Sequence, residues 1–112
     1  MRALFDDDLA AGARALWRAT GPRSATLELE LVRTALAGVA DLREDVARGQ
    51  AVARYALQGR TDGDWRTLSR GTTIGYRKLD RFEPVPVRRV RLLVEDAEAA
   101  PRPVRVSLHA GA

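Results

Sequence analysis

Residues 27–31 read Leu-Glu-Leu-Glu-Leu. Only an extended strand puts all three leucines on one face and both glutamates on the other, because side chains alternate with a period of two. The pattern returns along the chain. Val90, Leu92 and Val94 alternate with Arg89 and Arg91, and Val104, Val106 and Leu108 are spaced two apart. Ala51, Ala53, Tyr55 and Leu57 share a face if 51–58 is a strand. Asp62-Gly63 then supplies turn chemistry, since glycine accepts positive φ, and Trp65 to Ser69 reads as the partner strand of a hairpin. Several short strands separated by turn signals predict an antiparallel sandwich.

Three stretches are less plain. Residues 35–42 (ALAGVADL) fit a helix by alanine content and a strand by the spacing of Leu36, Gly38, Ala40 and Leu42. Residues 79–87 hold Pro84 and Pro86, and proline lacks the donor a ladder needs. This stretch is expected to be an edge or a connection, not a central strand. At the N-terminus, Leu9, Ala13, Leu16 and Trp17 recur at helical spacing behind Asp6, Asp7 and Asp8, so pattern alone predicts a short helix.

The chain has 112 residues, which suits a single domain over 1–112. A catalytic α/β barrel of roughly 250 residues does not fit in it. Cysteine is absent, which excludes disulfides, thiol nucleophiles and the usual structural zinc sites. No apolar run approaches the roughly 20 residues of a membrane helix, and Met1 to Asp8 turns acidic too soon for a signal region. No membrane contact is expected, and the compartment is left open. The net charge is +4, with Lys78 the sole lysine among arginines. A basic chain invites a nucleic-acid reading, but the charges look dispersed along the sequence, so nucleic acid is not the expected partner.

The most distinctive block runs from Leu42 to Tyr76. It supplies Leu42, Glu44, Val46, Gly49, Gln50 and Val52, then Gly63 and Trp65, then Gly71-Thr72-Thr73-Ile74-Gly75-Tyr76-Arg77. This block resembles the C-terminal β-sandwich domain that follows the catalytic barrel in α-L-fucosidases. Arg89-Val90-Arg91-Leu92 is similar to the family's next strand, and Phe5 to Asp8 with Trp17 to its opening stretch. The resemblance implies an all-β, antiparallel sandwich of jelly-roll, galactose-binding-like (discoidin) type. It replaces the N-terminal helix by a loop with a short turn, and it makes 36–43 a strand. The family domain begins earlier, with a first strand that has no counterpart here. An unpaired edge is a pairing hazard, so a partner chain or a homodimer is expected to cover it. The glycosidase's catalytic residues have no counterpart either, and the chain is not expected to be an enzyme.

As a carbohydrate-binding or accessory module, the chain has candidate sugar contacts in Arg43, Glu44, Gln50, Trp17, Tyr76 and Arg77. Arginine forks and carboxylates bind paired hydroxyls, and aromatic rings stack on sugar faces. Each has a plainer role to weigh. Arg43, Glu44 and Gln50 are as well suited to holding their loop shut. Trp65 and Trp17 are expected first as core anchors. The expected partners are a carbohydrate or a glycosidase domain. Asp6 and Asp8 are candidate calcium ligands, since hard cations want clustered oxygens, with a solvated turn as the more ordinary role for three adjacent acids. His109, the sole histidine, has no nucleophile beside it. Glu95 and Asp96 are neighbours on a strand and point apart, so they do not form a glycosidase pair.

Overall fold

The computed structural model describes residues 7–45 and 51–111. Six strands account for the architecture: β1 (Arg14–Gly21), β2 (Ser24–Arg43), β3 (Val52–Arg60), β4 (Arg66–Gly71), β5 (Lys78–Ala97) and β6 (Arg105–His109). All pairings are antiparallel, in the order β1-β2-β5-β3-β4, with β6 added to β2. No helix occurs among the described residues.

The two long strands make the fold a sandwich. The β2–β5 register breaks between Glu30 and Ala35 and again between Ala37 and Val39. Strands that turn a corner between layers do so through such irregularities. Residues 24–31 of β2 and 89–97 of β5 lie with β1, β3 and β4 in a larger layer. Residues 35–43 and 78–87 lie with β6 in a smaller one. The interior is apolar: Leu27, Leu31, Leu42, Leu57, Val90, Leu92, Val94 and Leu108 are buried between the layers. Burying one such side chain contributes roughly 1.5–3 kcal/mol, which makes this packing the main stabilising term.

The expected strands at 27–31, 36–43, 51–58, 87–94 and 104–108 are present, and Gly63 turns the β3–β4 hairpin at φ 76°. Three expectations need correction. Residues 14–21 are neither helix nor loop but a strand, β1. Its inward positions, opposite Leu29, Leu27 and Ala25, are Ala15, Trp17 and Ala19. Two of the three are alanines, which carry no strand signal. Residues 78–87 are strand throughout, continuous with 87–97 as β5. The prolines still obey their chemistry: this half of β5 pairs with β2 alone, and β3 joins only from Arg89 onward. Pro84 and Pro86 therefore lie where one side of the strand is open, a place that demands no donor. Finally, Trp65 is not a core anchor. It is half-buried on the outer surface, its ring between Arg60 at 4.6 Å and Arg91 at 4.3 Å.

One glycine is dictated by packing. Gly71 stands across the β3–β4 pair from Tyr55. A Cβ there would sit 2.6 Å from the Tyr55 hydroxyl oxygen and 2.7 Å from its ring carbons. The ring cannot retreat, because its hydroxyl donates to Asp80 Oδ2 at 2.6 Å. Gly71→Ala is expected to cost about 2 kcal/mol by overpacking. A urea unfolding midpoint equal to that of the parent protein would contradict this.

Candidate functional site

Three parts of the Leu42–Tyr76 block, at Glu44, Ala51–Val52 and Gly75, meet at one end of the sandwich, and Glu44 joins them. Its Oε1 accepts from the backbone amides of Ala51 and Val52, both at 3.0 Å, and its Oε2 accepts from Gly75 at 2.8 Å. The Glu44 amide in turn donates to the Gly75 carbonyl at 2.9 Å. Gly75 holds φ 67°, a left-handed conformation that favours glycine. Both carboxylate oxygens are thus committed to backbone donors. Glu44 is a clamp between two loops, and the plainer of its two expected roles is the one the geometry supports.

Beside the clamp lies an arginine pair on a buried acid. Asp41 is 5% exposed. Arg43 binds it through two nitrogens, at 3.2 and 3.1 Å, and Arg77 reaches Asp41 Oδ2 at 3.2 and 3.1 Å. Burial pushes the Asp41 carboxyl up, but hydrogen bonds from both guanidinium groups outweigh it and hold the acid below its ordinary range. Leu42 and Ala40 face the interior, so Asp41 and Arg43 face outward by alternation. Arg43 stands directly across the β2–β6 pair from Arg105.

These residues frame an open cleft of about 420 Å³, lined by Arg43, Glu44, Asp45, Tyr76, Pro103 and Arg105. Tyr76 is 71% exposed at its rim. The structure therefore brings together Arg43, Glu44 and Tyr76 of the candidates, with Arg77 held just behind through Asp41. Gln50 lies outside the described residues. Trp17 is half-buried and packed against the core. It lines an adjoining hollow of about 370 Å³, which also includes Pro103 and Arg105. Sequence reasoning missed Arg105, Asp45 and Pro103. The register of β6 against β2 brings Arg105 in, and nothing local in Pro101 to Arg105 announces it.

Of the calcium candidates, Asp8 is the one the structure describes. Asp8 Oδ1 accepts from the amides of Ala10 at 2.9 Å and Leu108 at 3.0 Å, pinning the N-terminal segment to β6. Asp6 lies outside the described residues, and no group of three acidic, histidine or cysteine side chains could hold a metal among those described. His109 is buried, its Nδ1 2.7 Å from the Asp7 carbonyl. Glu95 faces Arg54 and Arg70 at 3.8 and 3.9 Å. Of the two carboxylates that line the cleft, Glu44 and Asp45, Glu44 has both oxygens taken by backbone amides.

No family model matches the sequence. A protein of Oryza sativa subsp. japonica whose name places it among the α-L-fucosidases is 32% identical over 81 residues, covering 72% of this chain and 16% of that protein. The chain thus spans about a sixth of that relative's length. The crystal structure of SpGH29 matches over 97% of this chain and 29% of that one, with a TM-score of 0.86 and 27% identity. CpGH89CBM32-5 of Clostridium perfringens, 18% identical over 78% of this chain and 63% of its own, shares the fold alone, at a TM-score of 0.61. The matched share is small and falls in an all-β portion, so sequence and fold agree: the chain matches the C-terminal β-sandwich domain of the α-L-fucosidases, without the catalytic barrel of those proteins.

Proposed function

We propose that the chain is a non-catalytic carbohydrate-binding accessory module, and that the cleft between Arg43, Tyr76 and Arg105 takes a single sugar residue. The observation that carries this reading is the exposed Tyr76 ring beside guanidinium groups whose donors are not used up. Arg43 spends Nε and one Nη2 contact on Asp41, and a guanidinium has five N–H donors. The remaining donors suit the vicinal hydroxyls of a pyranose. The ring offers an apolar face, and Asp45 on the cleft wall adds an acceptor. The cleft is shallow and solvent-open, so binding is expected to be weak. The related Clostridium perfringens domain was solved with GalNAc-β-1,3-galactose, which makes galactose and fucose the first sugars to titrate. In an NMR titration, millimolar fucose or galactose is expected to shift the amides of Asp45, Tyr76 and Arg105. Tyr76→Ala and Arg105→Ala are each expected to weaken binding about tenfold, equivalent to about 1.4 kcal/mol. Absence of any shift at millimolar sugar would remove the proposal.

A second reading, docking of another protein or a second copy, rests on its own observation. β1 ends the larger layer and pairs with β2 alone among the described strands. Leu16, on the same strand, is 55% exposed. An open strand edge is a template for pairing. Light scattering behind size exclusion is expected to show a dimer at high protein concentration under this reading. A monomer throughout would exclude self-association by this edge.

A further inference from the structure

We propose a second ligand surface: the outer face of the larger layer binds a linear polyanionic polysaccharide, one bearing sulfate or uronate groups. The sequence disperses its arginines, but the register gathers them. Arg14, Glu30, Arg89 and Arg60 lie in one row across four strands, each directly opposite the next. The next row holds Leu16, Glu28, Arg91 and Gln58, and the one after it Arg18, Thr26, Leu93, Ala56 and Arg70. Arg54 and Glu95 extend the same face, where Arg54 and Arg70 both approach Glu95. The face therefore carries seven arginines against three glutamates and Asp96, which stands opposite Arg54, a surplus of three positive charges.

Two of the three glutamates are engaged. Arg89 donates to Glu30 at 2.9 Å, and Glu95 faces Arg54 and Arg70. Arg14 and Arg18, on the edge strand, make no ion pair among the described residues. Strands about 4.8 Å apart, with same-face residues about 6.7 Å apart along each, turn these side chains into a flat grid of forks. A planar guanidinium matches the paired oxygens of sulfate or carboxylate. Such a grid suits charges carried at intervals on an extended chain.

The choice of a glycan over a nucleic acid follows from the same geometry. Reading a duplex requires an element that enters a groove, and among the described residues this face is formed by strands alone, with no helix. Binding a single strand draws on aromatic faces for stacking. The aromatic ring beside this face, Trp65, has Arg60 and Arg91 over it at 4.6 and 4.3 Å. The surface is also separate from the sugar cleft. Arg43 and Arg105 lie on the smaller layer's outer face, on the other side of the sandwich.

The test is affinity electrophoresis and calorimetry with dextran sulfate, polygalacturonate, uncharged dextran and a single-stranded DNA oligomer at equal salt. Dextran sulfate is expected to bind, with affinity falling as salt rises, and uncharged dextran is expected not to. The double variant R14S/R18S is expected to lose at least fivefold in affinity for dextran sulfate. R33S/R102S, with the same change in charge elsewhere, is expected to lose less than twofold. Equal losses in the two double variants would overturn the assignment, since binding would then follow net charge alone. Tighter binding of DNA than of either polyanionic glycan would overturn it in favour of nucleic acid. No binding of any polyanion would overturn it outright. All four arginines are exposed, and circular dichroism verifies that the variants fold. Loss of the Tyr76 cleft, by Tyr76→Ala, is expected to leave dextran sulfate binding within twofold.

Discussion

Glu44→Ala lowers the stability of the domain by about 4 kcal/mol. The loss follows from what the carboxylate does. It accepts from the amides of Ala51, Val52 and Gly75, and a hydrogen bond to a charged group contributes about 1.5–3 kcal/mol. The sum is discounted because water reaches some of the freed amides. Glu44→Gln is a sharper probe of the same arrangement. It keeps one oxygen but sets an NH2 group against at least one backbone donor, so an intermediate loss is expected. Hydrogen exchange at the amides of Ala51, Val52 and Gly75 reads out the clamp directly. Faster exchange at these three in the alanine variant, beyond the general loss of stability, is the expected result. Retained protection would mean that the clamp does not form in solution. The cleft borders the same loops, so sugar binding is expected to fall with it.

The second large effect concerns the acid that ties the two layers together. Asp80, on the smaller layer's half of β5, is 5% exposed. It accepts from Tyr55 at 2.6 Å and Ser69 at 2.9 Å, both on the larger layer, and from Lys78 at 2.6 Å. Tyr55 is fully buried. Burial and the bond to Asp80 push its phenol well above the ordinary range. Asp80→Ala leaves that hydroxyl without an acceptor and is expected to cost about 3 kcal/mol, or roughly 12 °C in Tm for a domain of this size. Tyr55→Phe removes donor and need together at one end, so about 1 kcal/mol is expected.

Asp80 and Asp41 also fix the direction of the pH response. Burial raises both carboxyls, and hydrogen bonds from their cationic and hydroxyl partners outweigh it, so both titrate below the usual carboxylate value. A folded pKa below the unfolded one contributes stability that is fully present above the unfolded value of about 3.9 and is lost as pH falls through the lowered folded value. Stability is therefore expected to fall steeply below about pH 4. In Asp41→Asn/Asp80→Asn, less stable at neutral pH, the acid limb is expected to be shallower. Identical acid limbs would show that other carboxylates govern the response.

Much of this fold was legible in the sequence where one face is buried and the other wet. Residues 27–31 and 89–94 are of that kind, and their alternation survives intact. The edge strand β1 was not legible, because Leu16 and Arg18 point to solvent while Ala15 and Ala19 fill the inward positions with almost no side chain. The continuity of β2 and β5 was hidden by their corners, where the bulges break the period of two. The cleft was half legible. Arg43, Glu44 and Tyr76 came from a motif, but the role of Glu44 depends on donors at Val52 and Gly75, 8 and 31 positions away. Arg105 enters through strand pairing, which no local pattern encodes. Trp65 was misplaced because an aromatic after a turn suggests a core, whereas its true neighbours, Arg60 and Arg91, come from two other strands.

The corners in β2 and β5 also govern how the chain assembles. Each of these strands belongs to both layers, so neither layer can be completed before the other. Their pairing joins residues as far apart in sequence as Ala25 and Val94, and such distant closures slow folding toward milliseconds to seconds. Refolding in a single exponential phase, with tryptophan fluorescence and strand signal recovering together, is the kinetic signature of layers that share their strands.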